Sequence, residues 1–186
     1  MAVSKRLKAF LDASKVKYTV ARHPVVYTAQ EIAAAQHVPG RHLAKCVLVN
    51  TDRGAVLAVL PATHLIDFTR LKAALGARTA AIAKESEIQS RFPDVDVGAM
   101  PPFGTLYQTP VIADHAVTTA DYLVFNAGSH TDTIKMRSQD FLKLATPKLG
   151  AFGQPFGKPA RAKRSRAAAR SRRRPSANAK RGKRSA

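Results

Sequence analysis

Apolar residues along this chain come in short bursts whose period switches repeatedly between helical and extended. Leu7, Phe10 and Leu11 stand at i, i+3 and i+4 behind Ser4, which predicts a capped N-terminal helix. Tyr18 to Arg22 reads as a strand that His23-Pro24 ends. Thr28-Ala-Gln-Glu31 is a capping box, so a second helix should run to about Gln36 before Val38-Pro39-Gly40 stops it. Ala44 to Asn50 is apolar except for Lys45 and polar Asn50. The Asp52-Arg53-Gly54 turn and the run from Ala55 to Leu60 make it one arm of a hairpin.

The second half repeats the alternation. Asp67 to Leu75 predicts a helix closed by Gly76, Thr79 to Ala83 a short strand, and Lys84 to Arg91 a helix with Glu85 and Glu87 in its first turn. Phe92-Pro93-Asp94 breaks that helix. Strands are expected at Pro110–Ala113, Tyr122–Asn126 and Thr133–Met136. A last helix, Gln139 to Leu144, should be capped by Ser138, with Pro147 closing the fold. Helices and strands do not alternate regularly, so the pattern predicts one mixed α+β domain over residues 1–150 and not a doubly wound parallel sheet.

Beyond residue 150 the pattern stops. Gly, Pro, Ala, Ser, Lys and Arg dominate residues 151–186, which predicts a basic tail disordered on its own. Charge sharpens the contrast. Of the 31 Lys and Arg, 13 lie in residues 155–186, where there is no acid; residues 1–154 hold 18 against 12 acids. A polyanion, nucleic acid first among them, is the expected partner. The single cysteine excludes an internal disulfide, no apolar run is long enough to span a bilayer, and the first residues lack the apolar core of a signal peptide; together these point to the cytoplasm. The histidines are scattered and Cys46 is alone, so no metal site or other cofactor is expected, and there is no phosphate-binding Gly-x-x-x-x-Gly-Lys loop.

Packing alone explains the stretch Gly98-Ala-Met-Pro-Pro-Phe-Gly104 least well. Pro101 and Pro102 fix two φ angles and remove two donors, and the flanking glycines can act as permissive hinges. A stiff loop should result, presenting Phe103 and the N–H groups of Ala99 and Met100 to a ligand. Lys45, inside an apolar strand, needs an anion, a cavity or water, unless it snorkels to solvent from a strand edge.

Six stretches in order carry a family likeness: Thr28-Ala-Gln-Glu-Ile32, His37-Val-Pro-Gly40, Leu43-Ala-Lys45, Val59-Leu-Pro-Ala62, Gly98 to Gly104, and Phe125-Asn-Ala-Gly-Ser-His130. Over roughly residues 5–150 the chain resembles the YbaK/prolyl-tRNA-synthetase-associated editing domain family. The resemblance implies a compact α+β domain around a mixed, largely antiparallel, barrel-like sheet. It implies trans-editing: hydrolysis of the ester of a mischarged tRNA, with tRNA-Pro carrying a small amino acid the leading case and a prolyl-tRNA synthetase or another synthetase a possible partner. The family's lysine falls on Lys45, its Gly-x-x-x-Pro loop on Gly98 to Pro102, and its Ala-Gly-x-His stretch on Ala127 to His130.

On this basis Lys45, Gly98 and His130 are expected to carry the chemistry. Substrate contacts are expected from Tyr27, Thr28, Cys46, Ala99, Met100, Pro101, Pro102, Phe103, Asn126, Gly128 and Ser129, with His23 and His37 near the rim. Lys45 would act electrostatically, near the ester carbonyl, where it would stabilise the oxyanion, or near the terminal tRNA phosphate, while water, the terminal 2′-OH or a substrate thiol attacks. Cys46 stands where a polar residue is expected; it is either a small buried hydrophobe or a thiol activated by Lys45. Two other readings compete: a catalytically idle RNA-binding module of the same fold, and a basic DNA-binding protein driven by the tail.

Overall fold

The computed structural model describes residues 3–156. Helix α1 (Lys5–Ala13) starts where Ser4 accepts a hydrogen bond from the Leu7 N–H, and it buries Leu7 and Leu11 as its spacing predicts. Strand β1 (Tyr18–Arg22) leads to α2 (Ala29–Ala35). There Thr28 accepts from Glu31 N–H and the Glu31 carboxylate accepts from Thr28 N–H, completing the capping box. Strands β2 (Ala44–Thr51) and β3 (Gly54–Pro61) form the expected antiparallel hairpin, in register from Ala44 opposite Pro61 to Thr51 opposite Gly54.

Next come β4 (His64–Ile66), α3 (Phe68–Leu75) capped by Asp67 and closed by left-handed Gly76, β5 (Ala80–Ile82) and α4 (Glu85–Arg91). The proline loop runs into a 3-10 turn at Gly104–Tyr107 and then β6 (Val111–Asp114). The remaining elements are β7 (Tyr122–Asn126), β8 (Asp132–Arg137), α5 (Ser138–Ala145), β9 (Lys148–Gly150) and β10 (Gly153–Pro155). Ser138 is the first residue of α5 and not its cap; Arg137 stands before it and makes no side-chain cap.

The strands form three sheets among the described residues, not a closed barrel. A five-stranded mixed sheet runs β5-β2-β3-β6-β9, a three-stranded antiparallel sheet runs β1-β8-β7, and β10 pairs with β4. The first two meet through one parallel bridge, Leu43 to Val124. The fold is thus α+β and mixed, as expected. Closure fails because the link between the two larger sheets is that single bridge.

Alternation along β2 divides the interior. Ala44 and Leu48, with Cys46, face the main core, where Leu57, Phe103, Phe125 and Phe141 pack. Val47 and Val49 face a second cluster with Leu60, Leu71, Ile112 and Phe152. The packed chain continues beyond residue 150: Phe152 is fully buried, and the Asp114 carboxylate accepts from Phe152 N–H and Gly153 N–H at 2.8 and 2.5 Å. The boundary at 150 therefore falls short. The sequence hides this because β9 and β10 are three-residue strands, β9 held by parallel pairing with β6 and β10 by pairing with β4 and by the distant Asp114 carboxylate. Nearly all of the basic tail, residues 157–186, lies outside the described residues. No helix among those described is long and apolar enough to cross a membrane.

Candidate functional site

Two loops are stitched together beside the start of β2. Asp96 N–H donates to Gly128 O at 2.9 Å, Gly128 N–H to Ala99 O at 3.2 Å, and Ala99 N–H to Asp96 O at 2.9 Å. His130 Nε2 lies 3.0 Å from Val97 O. A carbonyl can only accept, so Nε2 carries the proton and Nδ1 presents a lone pair in the neutral ring. That Nδ1 is buried with no partner among the described residues. Gly98 and Gly128 both sit at positive φ, +88° and +102°. The junction also seats α1, because Ser4 N–H donates to Ala127 O at 2.8 Å. Two motifs far apart in sequence are therefore one structural unit.

Next to that unit is a cavity of about 160 Å³, lined by Tyr27, Ala29, Ile32, Leu43, Ala44, Lys45, Cys46, Gly98, Met100 and Asn126. It brings together six of the residues expected from the sequence: Tyr27, Lys45, Cys46, Gly98, Met100 and Asn126. Lys45 is half-buried and pairs with no acid among the described residues. Its ammonium lies 5.4 Å from the centre of the Phe156 ring. Burial holds its pKa below the ordinary lysine value. Asn126 Oδ1 is buried without a hydrogen-bond donor among the described residues. The Met100 N–H has no partner among the described residues, whereas the Ala99 N–H is consumed within the loop. Tyr27 covers the His130 ring, their centroids 4.9 Å apart.

Several expected residues do other work. Phe103 is fully buried and packs on Phe10, Phe125 and Phe141 at centroid separations of 5.5 to 5.8 Å. Its large apolar ring fills the main core and takes no part in the cavity wall. Pro101, Pro102 and Ala99 are buried behind Met100 and stiffen the loop from within. Thr28 is the cap of α2. Ser129 donates to the Asp132 carboxylate at 2.8 Å inside the turn, and Gly128 packs on Ser4. His130 supports Gly98 from behind, and a Cβ added at Gly98 would lie 3.6 Å from its Cε1. His23 is buried with Nδ1 against Pro24 O, and His37 is exposed at φ +51°. Burial pushes the Cys46 thiol up, so it is not the activated nucleophile that a neighbouring cation would create.

The sequence reading missed Ala29, Ile32, Leu43 and Ala44. Their signal was present in the apolar side of α2 and the first residues of β2, but an apolar wall and a core face look alike in sequence.

The model of the aminoacyl-tRNA editing domain matches residues 23–144. The chain is 26% identical over 152 residues to the multifunctional Ser/Thr-tRNA deacylase ProXp-y of Escherichia coli (strain K12), covering 79% of this chain and 90% of that protein. It is 30% identical over 94 residues to the proline–tRNA ligase of Thermosipho africanus, covering 50% of this chain and 16% of the ligase. A crystal structure described as a candidate trans-editing enzyme for prolyl-tRNA synthetase superposes with a TM-score of 0.72 at 17% identity, covering 81% of this chain and 96% of that one. The family match takes in the lysine strand, the proline loop and the Asn126–His130 turn together, and from it we conclude that the chain belongs to the aminoacyl-tRNA editing domain family and is an aminoacyl-tRNA hydrolase.

Proposed function

We propose that this protein removes a small amino acid from a mischarged tRNA, with tRNA-Pro the first tRNA to consider. The observation that carries the proposal is the shared cavity: Lys45, unpaired by any described acid, Met100, whose N–H has no partner among the described residues, and Asn126, with its unpartnered amide oxygen, all line a space of about 160 Å³, while the Lys45 ammonium itself rests against the Phe156 ring. Sites for ordinary small-molecule ligands start at about 300 Å³. A space this small suits a short side chain and the ester beside it. The wall formed by Ile32, Leu43, Ala44 and Cys46 favours a compact, weakly polar side chain such as that of Ala, Ser or Cys.

The chemistry follows from these groups. The ester carbonyl lies between the Lys45 ammonium and the Met100 N–H. Both strengthen their hold as negative charge develops on its oxygen. The long lysine stem lets the ammonium exchange the Phe156 ring for that oxyanion. Asn126 Oδ1 accepts a hydrogen bond from the substrate's α-ammonium and so orients the aminoacyl group. Water or the neighbouring ribose hydroxyl adds to the carbonyl carbon and loses its proton. The bond to the esterified ribose oxygen then breaks, and that oxygen takes up a proton to leave as a hydroxyl. With water the products are free amino acid and tRNA. With the ribose hydroxyl the acyl group only shifts position, and water must finish the reaction.

Support from relatives is consistent with a small substrate, since one of them is named a Ser/Thr-tRNA deacylase. Small apolar side chains differ by only about 1–3 kcal/mol in such pockets, so the choice among them is a matter of measurement. Incubation with a panel of mischarged tRNAs tests the reading. Esters of Ala, Ser or Cys should disappear fastest and bulky aromatic esters should persist. Equal loss of all esters, or loss of none, rejects it.

A further inference from the structure

The outer face of the three-stranded sheet carries a cluster of cations that the cavity does not use. Three shallow depressions meet there at Arg137. One is lined by Lys17, Thr19, Tyr122, Lys135 and Arg137, among others. A second runs from Arg137 and Tyr122 to Asp121 and Gln139. The third joins Arg137 and Lys17 to Lys15, Lys143 and Asp140. Lys15, Lys17, Lys135, Arg137 and Lys143 are all exposed, and none forms an ion pair among the described residues. Only Asp121 and Asp140 oppose them within these depressions. The register explains the clustering: Thr19 stands opposite Lys135, and Tyr122 opposite Arg137.

An aromatic ring sits among the charges. Lys135 Nζ lies 3.9 Å from the centre of the Tyr122 ring, whose other neighbour is His42 at 4.3 Å between centroids. Cations interleaved with an aromatic are the arrangement that tracks a nucleic-acid strand, phosphates on the cations and a base on the ring. When a phosphate draws the Lys135 ammonium away, the ring it covers becomes free for a base.

The face is joined to the cavity by one strand. Asn126 at one end of β7 lines the cavity and Tyr122 at the other end lines the cationic face. At about 3.3 Å per residue the two ends lie roughly 13 Å apart. We propose that an RNA strand spans the distance set by β7, whose own middle residues Leu123, Val124 and Phe125 are buried: its aminoacylated end enters the cavity, and the nucleotides behind it lie on the Lys17–Lys135–Arg137 face. This rests on the reading of the cavity as an ester site and adds to it the route by which the RNA arrives.

The test uses the full chain and uncharged tRNA. Binding is measured across a range of salt for the wild type and for a triple variant with Lys17→Ala, Lys135→Ala and Arg137→Ala. A matched control, Arg53→Ala with Lys72→Ala and Lys148→Ala, removes the same charge from the five-stranded sheet and α3. Loss of three phosphate contacts should flatten the slope of log affinity against log salt by roughly 2 to 3 and weaken binding about tenfold or more. The control should change much less. In deacylation the face variant should raise KM and keep kcat. The inference is overturned if the face variant binds as the wild type does, or if both triple variants weaken alike. A wild type that binds tRNA with this salt response but hydrolyses no ester would instead defeat the cavity reading.

Discussion

At the scale of single residues the proposed chemistry rests on Lys45. Burial lowers its pKa, so the ammonium is lost at a lower pH than for an ordinary lysine. Catalysis by the charged form should therefore fall as pH rises through that lowered value. The uncatalysed hydrolysis, subtracted in parallel, rises over the same range. The sign for stability is opposite. Between the folded and unfolded pKa the unfolded chain binds more protons, so the burial cost fades and stability increases with pH. A rate–pH profile with a descending alkaline limb, absent in Lys45→Ala, checks the first statement. Cys46 gives a second check. Its raised thiol pKa predicts slow alkylation in the native protein and fast alkylation in urea, measured by mass spectrometry. The same scale shows where sequence runs out. Lys45 stood out because a cation in an apolar strand demands an explanation. Phe103 was misplaced because an aromatic in a proline-rich loop looks the same whether its ring points to a ligand or, as here, into the core.

Among the elements, the proline loop and the Asn126–His130 turn behave as one piece through their shared backbone hydrogen bonds. Two substitutions separate their contributions. Gly98→Ala meets only ordinary contact at His130 Cε1, so its cost is the left-handed backbone, about 1–2 kcal/mol. Gly128→Ala suffers the same backbone strain and also a 2.9 Å approach to Ser4 Cβ, so it should destabilise more. Urea unfolding of both variants checks the order. Gly98→Ala should also lower activity beyond its effect on stability, because Gly98 lines the cavity. Helices and the β2–β3 hairpin were legible because caps, turns and period agreed locally. Strands β4, β9 and β10 were not. Each is three residues long, and what fixes the last of them is the Asp114 carboxylate some forty residues earlier.

For the molecule as a whole, charge and cavity divide the labour. The cavity is small and of mixed lining, while the cationic clusters lie on the sheet face and in the sequence beyond Phe156. Removing residues 157–186 deletes 13 Lys and Arg. That truncation should weaken tRNA binding and reduce its salt dependence while leaving kcat at saturation intact, as filter binding and turnover on one preparation would show. Unchanged affinity at low salt would dissociate those charges from tRNA.

Single-turnover hydrolysis of the ester identified by the mischarged-tRNA panel, compared between wild type and Lys45→Ala, probes the cavity chemistry most directly. Removing one preorganised oxyanion partner costs about 10²–10³ in rate, so the variant should slow by at least about a hundredfold with tRNA affinity little changed. A Lys45→Ala protein that clears the ester at the wild-type rate would contradict the account.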